Sequence, residues 1–242
     1  AGAQHSMGTA YAARVFGDKA ANMEEALACF HRALQVRTQE VTPLAWATTQ
    51  NSMGAAYTER VNGDKAANME QAEACYCCVL DVWTQEAMPK AWVSMQLKLA
   101  DLYEQQMGSG KEASQASKEM VACYLRVLEV WTRETSPHDW AGMQERMGLA
   151  YSQMVDGGKA KSMEEALACY RRALEVWKRE TEPHAWAHLQ VYMGAAYAQR
   201  VDGDKAANLD EAVSCYQRVL EVWTRESAPR AWAQMHDRIG RL

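Results

Sequence analysis

The sequence predicts an all-α fold, a solenoid of stacked antiparallel helix pairs. Three observations lead to this prediction. All five prolines recur at steps of 46 or 48 residues, and tryptophan, tyrosine and cysteine series keep the same steps. Apolar residues inside each repeat recur at helical spacing, and no segment alternates with the period of two that a half-buried strand requires. A fixed period of this length is typical of a repeat architecture.

The repeat boundaries follow from these series. Each proline is followed three residues later by a tryptophan, giving Pro43/Trp46, Pro89/Trp92, Pro137/Trp140, Pro183/Trp186 and Pro229/Trp232. The other series are Tyr11, Tyr57, Tyr103, Tyr151 and Tyr197, and Cys29, Cys75, Cys123, Cys169 and Cys215. They place the two extra residues of the third repeat between Tyr103 and Cys123. We predict one domain over 1–242, with five helix pairs and an incomplete terminal helix, in repeats 1–42, 43–88, 89–136, 137–182, 183–228 and 229–242.

Each complete repeat contains two predicted helices. The first begins at the proline, which suits a first helical turn because its missing N–H would find no partner there. We expect it to run to a glycine stop such as Gly63. The second is expected over 69–86, where the apolar positions are Met69, Ala72, Tyr76, Val79, Leu80 and Trp83.

The connection between the two helices reads GDKAAN at 17–22, 63–68 and 203–208, and GGKAKS at 157–162. Gly63 can take the left-handed conformation that ends a helix. Asn68 with Gln71 fits a capping box at the next helix start, and the pattern recurs as Asn22/Glu25, Ser162/Glu165 and Asn208/Glu211. A phosphate-binding loop needs an earlier glycine and a Ser or Thr after the lysine, but Gln153 and Ala160 occupy those positions around Gly158-Lys159. We therefore predict a turn and no nucleotide site.

Composition narrows the class of protein. A net charge of −5 offers no basic stripe for nucleic acid, and no apolar run approaches the length of a membrane span. Seven cysteines follow the repeat rather than a disulfide framework, which favours a reducing intracellular compartment. Because the chain begins inside a repeat and without Met, we expect it to be a fragment or a processed product.

The reactive side chains show no catalytic grouping. Equivalent cysteines lie one repeat apart, and helix axes spaced about 8–10 Å exceed the roughly 7 Å that a disulfide spans, so we expect buried hydrophobes. Cys78 aligns with an arginine of the other repeats and should lie near the surface, where Cys77 and Cys78 leave a reactive thiol or a metal contact as alternatives. His184 and His188 have metal-pair spacing without a third ligand, which predicts a solvated pair. We predict no enzyme activity, no cofactor and no metal.

Tryptophans bracket the prolines, as Trp83 and Trp92 do around Pro89. We interpret these pairs as a packing ladder at the repeat junctions rather than as a row of ligand-stacking rings. Arg37 interrupts the ladder in the first repeat, where its guanidinium could stack on an aromatic ring instead.

One repeat resembles the tetratricopeptide repeat through Met53-Gly54, Tyr57, Ala72, Tyr76, Val79 and Pro89. Gly8, Gly148, Gly194 and Gly240 match Gly54, and Ala100 replaces it once. The repeat of 46 residues is longer than the usual ~34, and such long repeats are similar to those of large bacterial and algal multi-repeat proteins. The resemblance implies a right-handed α-solenoid in which Gly54 lets paired helices approach closely.

In that family the first helices line a concave binding face. Carried onto this sequence, the resemblance implies the binding residues Asn51, Glu59, Leu97, Asp101, Glu104, Glu145, Gln153, His188 and Gln199. The Lys/Asn/Arg set with which some family members hold a terminal carboxylate is missing. The acidic side chains predict a neutral-to-basic ligand, although Arg60, Lys98 and Arg200 lie near enough to offset part of the charge.

We therefore predict a non-enzymatic scaffold that binds a protein or peptide. One alternative is a structural array that associates with itself, and another is the sensor arm of a longer effector enzyme. Met235 and Ile239 belong to a terminal helix without a second-helix partner, which predicts end-to-end self-association because solenoid ends need a polar cap.

Overall fold

A computed structural model describes residues 1–107, 113–154 and 159–242. Over these residues the chain forms eleven α-helices and no strand. The helices are α1 (Gly2–Ala12), α2 (Lys19–Leu34), α3 (Pro43–Glu59), α4 (Lys65–Leu80), α5 (Pro89–Met107), α6 (Ala113–Val130), α7 (Pro137–Gln153), α8 (Lys159–Ala173), α9 (Pro183–Gln199), α10 (Lys205–Leu220) and α11 (Pro229–Gly240). The predicted all-α class is confirmed, with odd-numbered first helices and even-numbered second helices.

Contacts divide the chain into two compact halves, Ala1–Cys123 and Tyr124–Leu242. In the N-terminal half, α1 pairs with α2 and α3 with α4, while α2 also packs on α3 and α4 on α5. In the C-terminal half, α7 pairs with α8 and α9 with α10, and α8 packs on α9 and α10 on α11. In both halves these helices pack on their neighbours in sequence, which is the arrangement of a helical repeat and is consistent with an α-solenoid.

A glycine of the first helix faces an aromatic ring of the second in four pairs. A Cβ atom added to Gly54 would lie 2.6 Å from Cε1 of Tyr76. The same contact joins Gly8 to Phe30, Gly148 to Tyr170 and Gly194 to Tyr216. The expected close approach is therefore confirmed for these pairs, whereas Gly240, predicted as another member of the series, has no atom within 4 Å of such a Cβ.

The second helices begin earlier than predicted. The N-cap of α4 is Asp64, whose carboxylate accepts a hydrogen bond from the backbone N–H of Ala67 at 2.9 Å. Asp204 caps α10 in the same way, and Asp18 caps α2. The prediction that Asn68 and its equivalents are N-caps was wrong, because a helix that starts at Lys65 places Asn68 inside its first turns.

Asn68 holds the preceding loop instead. Its buried Nδ2 donates to the backbone carbonyl of Asn62 at 2.9 Å, and its Oδ1 accepts from Nη1 of Arg60 at 3.2 Å. Gly63 lies in that loop with φ +82°, which an L side chain adopts only with strain. Because α3 already ends at Glu59, Gly63 shapes the loop and does not end the helix. The glycines of GGKAKS lie outside the described residues.

An arginine at the end of a first helix joins neighbouring repeats. Nε and Nη2 of Arg60 donate to the two carboxylate oxygens of Glu24 at 2.8 Å each. Arg200 donates through Nε to Glu164 and through Nη1 to Oδ1 of Asn208. The bidentate Arg60–Glu24 pair fixes geometry as well as charge, so it sets the position of one helix pair on the next.

The repeat junctions are packed, with two departures from prediction. Trp140 and Trp177 pack against one buried cluster of the C-terminal half, and Trp186 packs against the next, which confirms the packing ladder there. The second helix ends at Leu80 instead of 86, and Thr84 Oγ1 accepts from the N–H of Ala87 in the turn that follows. Arg37 donates to Thr49 Oγ1 at 2.8 Å, and within the described residues its guanidinium stacks on no ring.

All seven cysteines lie in the described part of the chain, and none is in a disulfide. The five periodic ones are buried, as predicted. Burial raises the pKa of Cys75 to about 12 and that of Cys169 and Cys215 to about 11, which keeps these thiols protonated. Cys77 is exposed and Cys78 is half-buried. The more exposed thiol is therefore that of Cys77 and not that of Cys78, for which a surface position was expected.

Candidate functional site

The first helices lie side by side and share a surface within each half. In the N-terminal half, α1 contacts α3, and Lys98 of α5 reaches Asn51 of α3. In the C-terminal half, α7 contacts α9. We call the outward side of these odd-numbered helices the first-helix surface, and the residues predicted as binding positions belong to it.

Five predicted residues lie in the N-terminal half. Asn51 and Leu97 are half-buried, while Glu59, Asp101 and Glu104 are exposed. Oδ1 of Asn51 accepts a hydrogen bond from Nζ of Lys98 at 2.7 Å. Glu59 forms an exposed ion pair with Lys19 at 3.5 Å. The structure therefore joins Asn51 to a lysine and leaves the carboxylates of α3 and α5 in contact with solvent.

Four predicted residues lie in the C-terminal half. Gln153 and Gln199 are exposed at the ends of α7 and α9. His188 is exposed with His184, as expected for a solvated pair, but its ring also lies edge-on against Trp223, with centroids 4.9 Å apart. Burial and then the neighbouring His184 lower the pKa of His188, which favours the neutral imidazole.

Glu145 is the most shielded of the predicted acids. Its side chain is half-buried, and this burial raises its pKa above the ordinary value, with Arg146 acting in the opposite direction. Its charge is felt by the hydroxyls of Tyr170 and Tyr192, whose pKa values it helps to raise. The structure thus brings Glu145 together with two tyrosines that were not predicted as site residues.

A cover position recurs on the first-helix surface. In α3, α5, α9 and α11 it is the residue that lies over the aromatic ring one helix earlier, and its occupants there are Ser52, Lys98, Tyr192 and Arg238. Nζ of Lys98 lies 5.6 Å from the centroid of the Tyr76 ring. Tyr192 stacks on Tyr170 at 5.8 Å. Arg238 lies 5.8 Å from the Tyr216 centroid.

Ser52 is too short to cover Phe30, and an apolar recess remains. The recess has a volume of about 200 Å³ and lies between α1, α2 and α3. Its lining residues are Thr9, Ala12, Ala13, Met23, Phe30, Ser52, Ala55, Ala56 and Glu59. In other repeats, Thr58 and Ser152 form hydrogen bonds with the hydroxyls of Tyr76 and Tyr170. Ala12 occupies the equivalent position of the first repeat. The recess therefore has neither this hydroxyl side chain nor a long side chain at the cover position.

Two of the three cations expected to offset the acidic charge are already engaged. Arg60 and Arg200 bind Glu24 and Glu164, away from the predicted site residues. Lys98 alone among the three contacts a predicted site residue, and burial lowers the pKa of its ammonium. Glu59, Asp101 and Glu104 therefore face solvent in the N-terminal half, where Lys19 forms an ion pair with Glu59.

Sequence reasoning missed the cover position and the recess. The signal was present in the column that contains residues 52, 98, 192 and 238, which varies between Ser, Lys, Tyr and Arg while the packing columns barely vary. The function of these positions becomes visible only in the structure, where the residue of a first helix lies over the ring of the preceding second helix.

Over residues 1–107, 113–154 and 159–242, no three His, Cys, Asp or Glu side chains converge as metal ligands would. None of the helices in this part of the chain combines the length and apolarity needed to cross a bilayer.

No protein-family model matches the chain, and no curated protein matches it either. The helical-repeat architecture consequently stands on the periodic sequence and on the helix packing.

Proposed function

We propose that this chain is a non-enzymatic scaffold of the tetratricopeptide-repeat type that binds a protein or peptide on its first-helix surface. The glycine–aromatic contacts support the family, since Gly54 and Tyr76 are residues that carry the resemblance. The apolar recess at Phe30 supports the function most directly. It is a concave feature on the surface where the resemblance implies ligand contacts.

The size of the recess favours a single side chain as its occupant. Pockets for drug-sized molecules run to about 300–1,000 Å³, whereas this one has about 200 Å³. The lining is apolar apart from Glu59 and two hydroxyl groups. We therefore propose that the ligand inserts one apolar side chain, with a basic residue close to Glu59 because opposite charges across an interface favour association.

Selection from a random peptide display library tests this proposal. Peptides selected on the full chain should share an apolar residue with a neighbouring Lys or Arg. Ser52→Lys introduces the residue that already covers Tyr76, so the fold should tolerate it while the recess closes. We expect Ser52→Lys to weaken the selected peptides at least roughly tenfold, which is about 1.4 kcal/mol.

Ser52→Ala is the matched control, because it leaves the recess open and should bind the peptides like the wild type. Circular dichroism confirms that both variants keep their helices. If no peptide is enriched, or if the enriched peptides ignore Ser52→Lys, the proposed use of this surface is wrong.

A further inference from the structure

The chain contains its own example of cation binding on the first-helix surface. In the N-terminal half, the Lys98 ammonium donates to Oδ1 of Asn51 at 2.7 Å and lies over the ring of Tyr76. The amide oxygen of Asn51 and the aromatic face of Tyr76 thus bind the same ammonium group. Arg238 and Tyr216 repeat the cation–ring half of this arrangement in the C-terminal half.

The equivalent positions of α7, α8 and α9 contain a different set. Tyr170 takes the place of Tyr76, Tyr192 that of Lys98, and Glu145 that of Asn51. The ring of Tyr192 stacks on Tyr170, with planes inclined by 26°. A carboxylate thus replaces the amide of Asn51, and a tyrosine replaces the lysine that donates to this amide.

No ion pair joins the Glu145 carboxylate to a residue in the described part of the chain. Arg146, its sequence neighbour, lowers its pKa but does not face it, because successive residues of a helix do not face each other. The half-buried carboxylate instead lies near the two tyrosines, and the His188 ring lies 6.4 Å from that of Tyr192. A half-buried anion beside aromatic faces attracts positive charge by two routes, ion pairing and the quadrupole of the rings.

We infer that the C-terminal half binds a lysine or arginine side chain of the partner between the Glu145 carboxylate and the half-exposed ring of Tyr192. The inference rests on the proposed function for the source of that side chain. A neutral side chain would leave the carboxylate unpaired.

Single residues serve as the probe. N-acetyl-lysine methylamide is titrated into the full chain and followed through the NMR signals of the tyrosine rings, with N-acetyl-norleucine methylamide as the neutral control. We expect the lysine compound to shift Tyr192, and the norleucine compound to leave it unchanged. Shifts of Tyr192 by both compounds would overturn the inference, since an apolar contact would then explain them.

Two variants with the same change in charge separate a site from the general acidic field. Glu145→Gln should weaken binding of the lysine probe on the order of five- to tenfold, the range expected for a partly shielded cation site. Glu226→Gln removes an exposed carboxylate of the same half, in the turn after α10 and outside the predicted binding residues, and should have no effect. Equal effects of the two variants, or none from Glu145→Gln, would overturn the inference.

Tyr192→Lys provides a third measurement. It restores the lysine of the N-terminal half beside Glu145, so it should abolish probe binding while circular dichroism stays unchanged. Retained probe binding in this variant would contradict the inference. The peptide selection depends on Ser52 in the other half, so the two tests are independent. A negative result with the lysine probe would not change the outcome of the peptide selection. A negative peptide selection would likewise not change the outcome of the probe titration.

Discussion

Two glycines of α7 should respond in opposite directions to the same substitution. A Cβ on Gly142 would meet Trp177 at 3.9 Å, an ordinary van der Waals distance. A Cβ on Gly148 would overlap the Tyr170 ring, with Cδ1 at 2.7 Å and Cζ at 2.8 Å. Tyr170 is 1 % exposed and Tyr192 stacks on it, so its ring has little room to move.

The magnitudes follow from two effects. Replacing a glycine inside a helix by alanine stabilises by roughly 0.5–1 kcal/mol. Overpacking a core costs typically about 1–3 kcal/mol. Gly142→Ala should show only the first effect and Gly148→Ala both, so the difference between the variants isolates the overpacking at about 1–3 kcal/mol.

Urea unfolding followed by circular dichroism measures this difference. For chains of about this length, 1 kcal/mol also corresponds to roughly 2–4 °C in the melting temperature. The variants should therefore melt roughly 2–12 °C apart, with Gly142→Ala above the wild type. Equal stability, or a Gly148→Ala variant more stable than Gly142→Ala, would refute the close contact between Gly148 and Tyr170.

Three further outcomes are expected. Asn68→Ala should lower the free energy of unfolding by about 1–3 kcal/mol, because it leaves the carbonyl of Asn62 without its donor; an unchanged urea midpoint would contradict this. The hydrogen bond from Arg60 lowers the pKa of Glu24 below its usual 4.5, so its stabilisation is present above that value and is lost as the pH falls through the lower folded-state pKa. Melting curves from pH 6 to pH 3 should fall less for Glu24→Gln than for the wild type, and parallel curves would exclude the effect. Cys77 should react first with Ellman's reagent in the native chain, and Cys77→Ser should remove that fast phase; a fast phase in the variant would assign it elsewhere.

The fold could be predicted because packing side chains recur in register. Each proline starts a helix, and each periodic cysteine is buried together with the aromatic residue that follows it. Helix ends were less predictable. Asn68 with Gln71 matches a capping box as well as Asp64 matches an N-cap, and both patterns use short polar side chains near a helix start. Only the contacts of Asn68 with the preceding loop distinguish them.

The sequence predicted the helices that carry the candidate residues, but it did not predict the contacts that those residues make. Glu145 and Asn51 were expected on the first helices, and they are there. Their partners Lys98 and Tyr192 belong to the next repeat, 47 residues away in sequence. Such a relation depends on how neighbouring helices align, and the spacing within one helix does not contain that information.

The cover position affects the chemistry of the surface but not the packing that stabilises the fold. The ring beneath it is fixed by a glycine on the same helix pair, whereas serine, lysine, tyrosine and arginine all occupy the position itself without altering the helices that carry them. One side chain per repeat can therefore be exchanged to give an open recess, a bound cation or an aromatic platform. For protein engineering, residues 52, 98, 192 and 238 form a set of addressable sites, and a library randomised at these four positions would vary recognition on a constant scaffold.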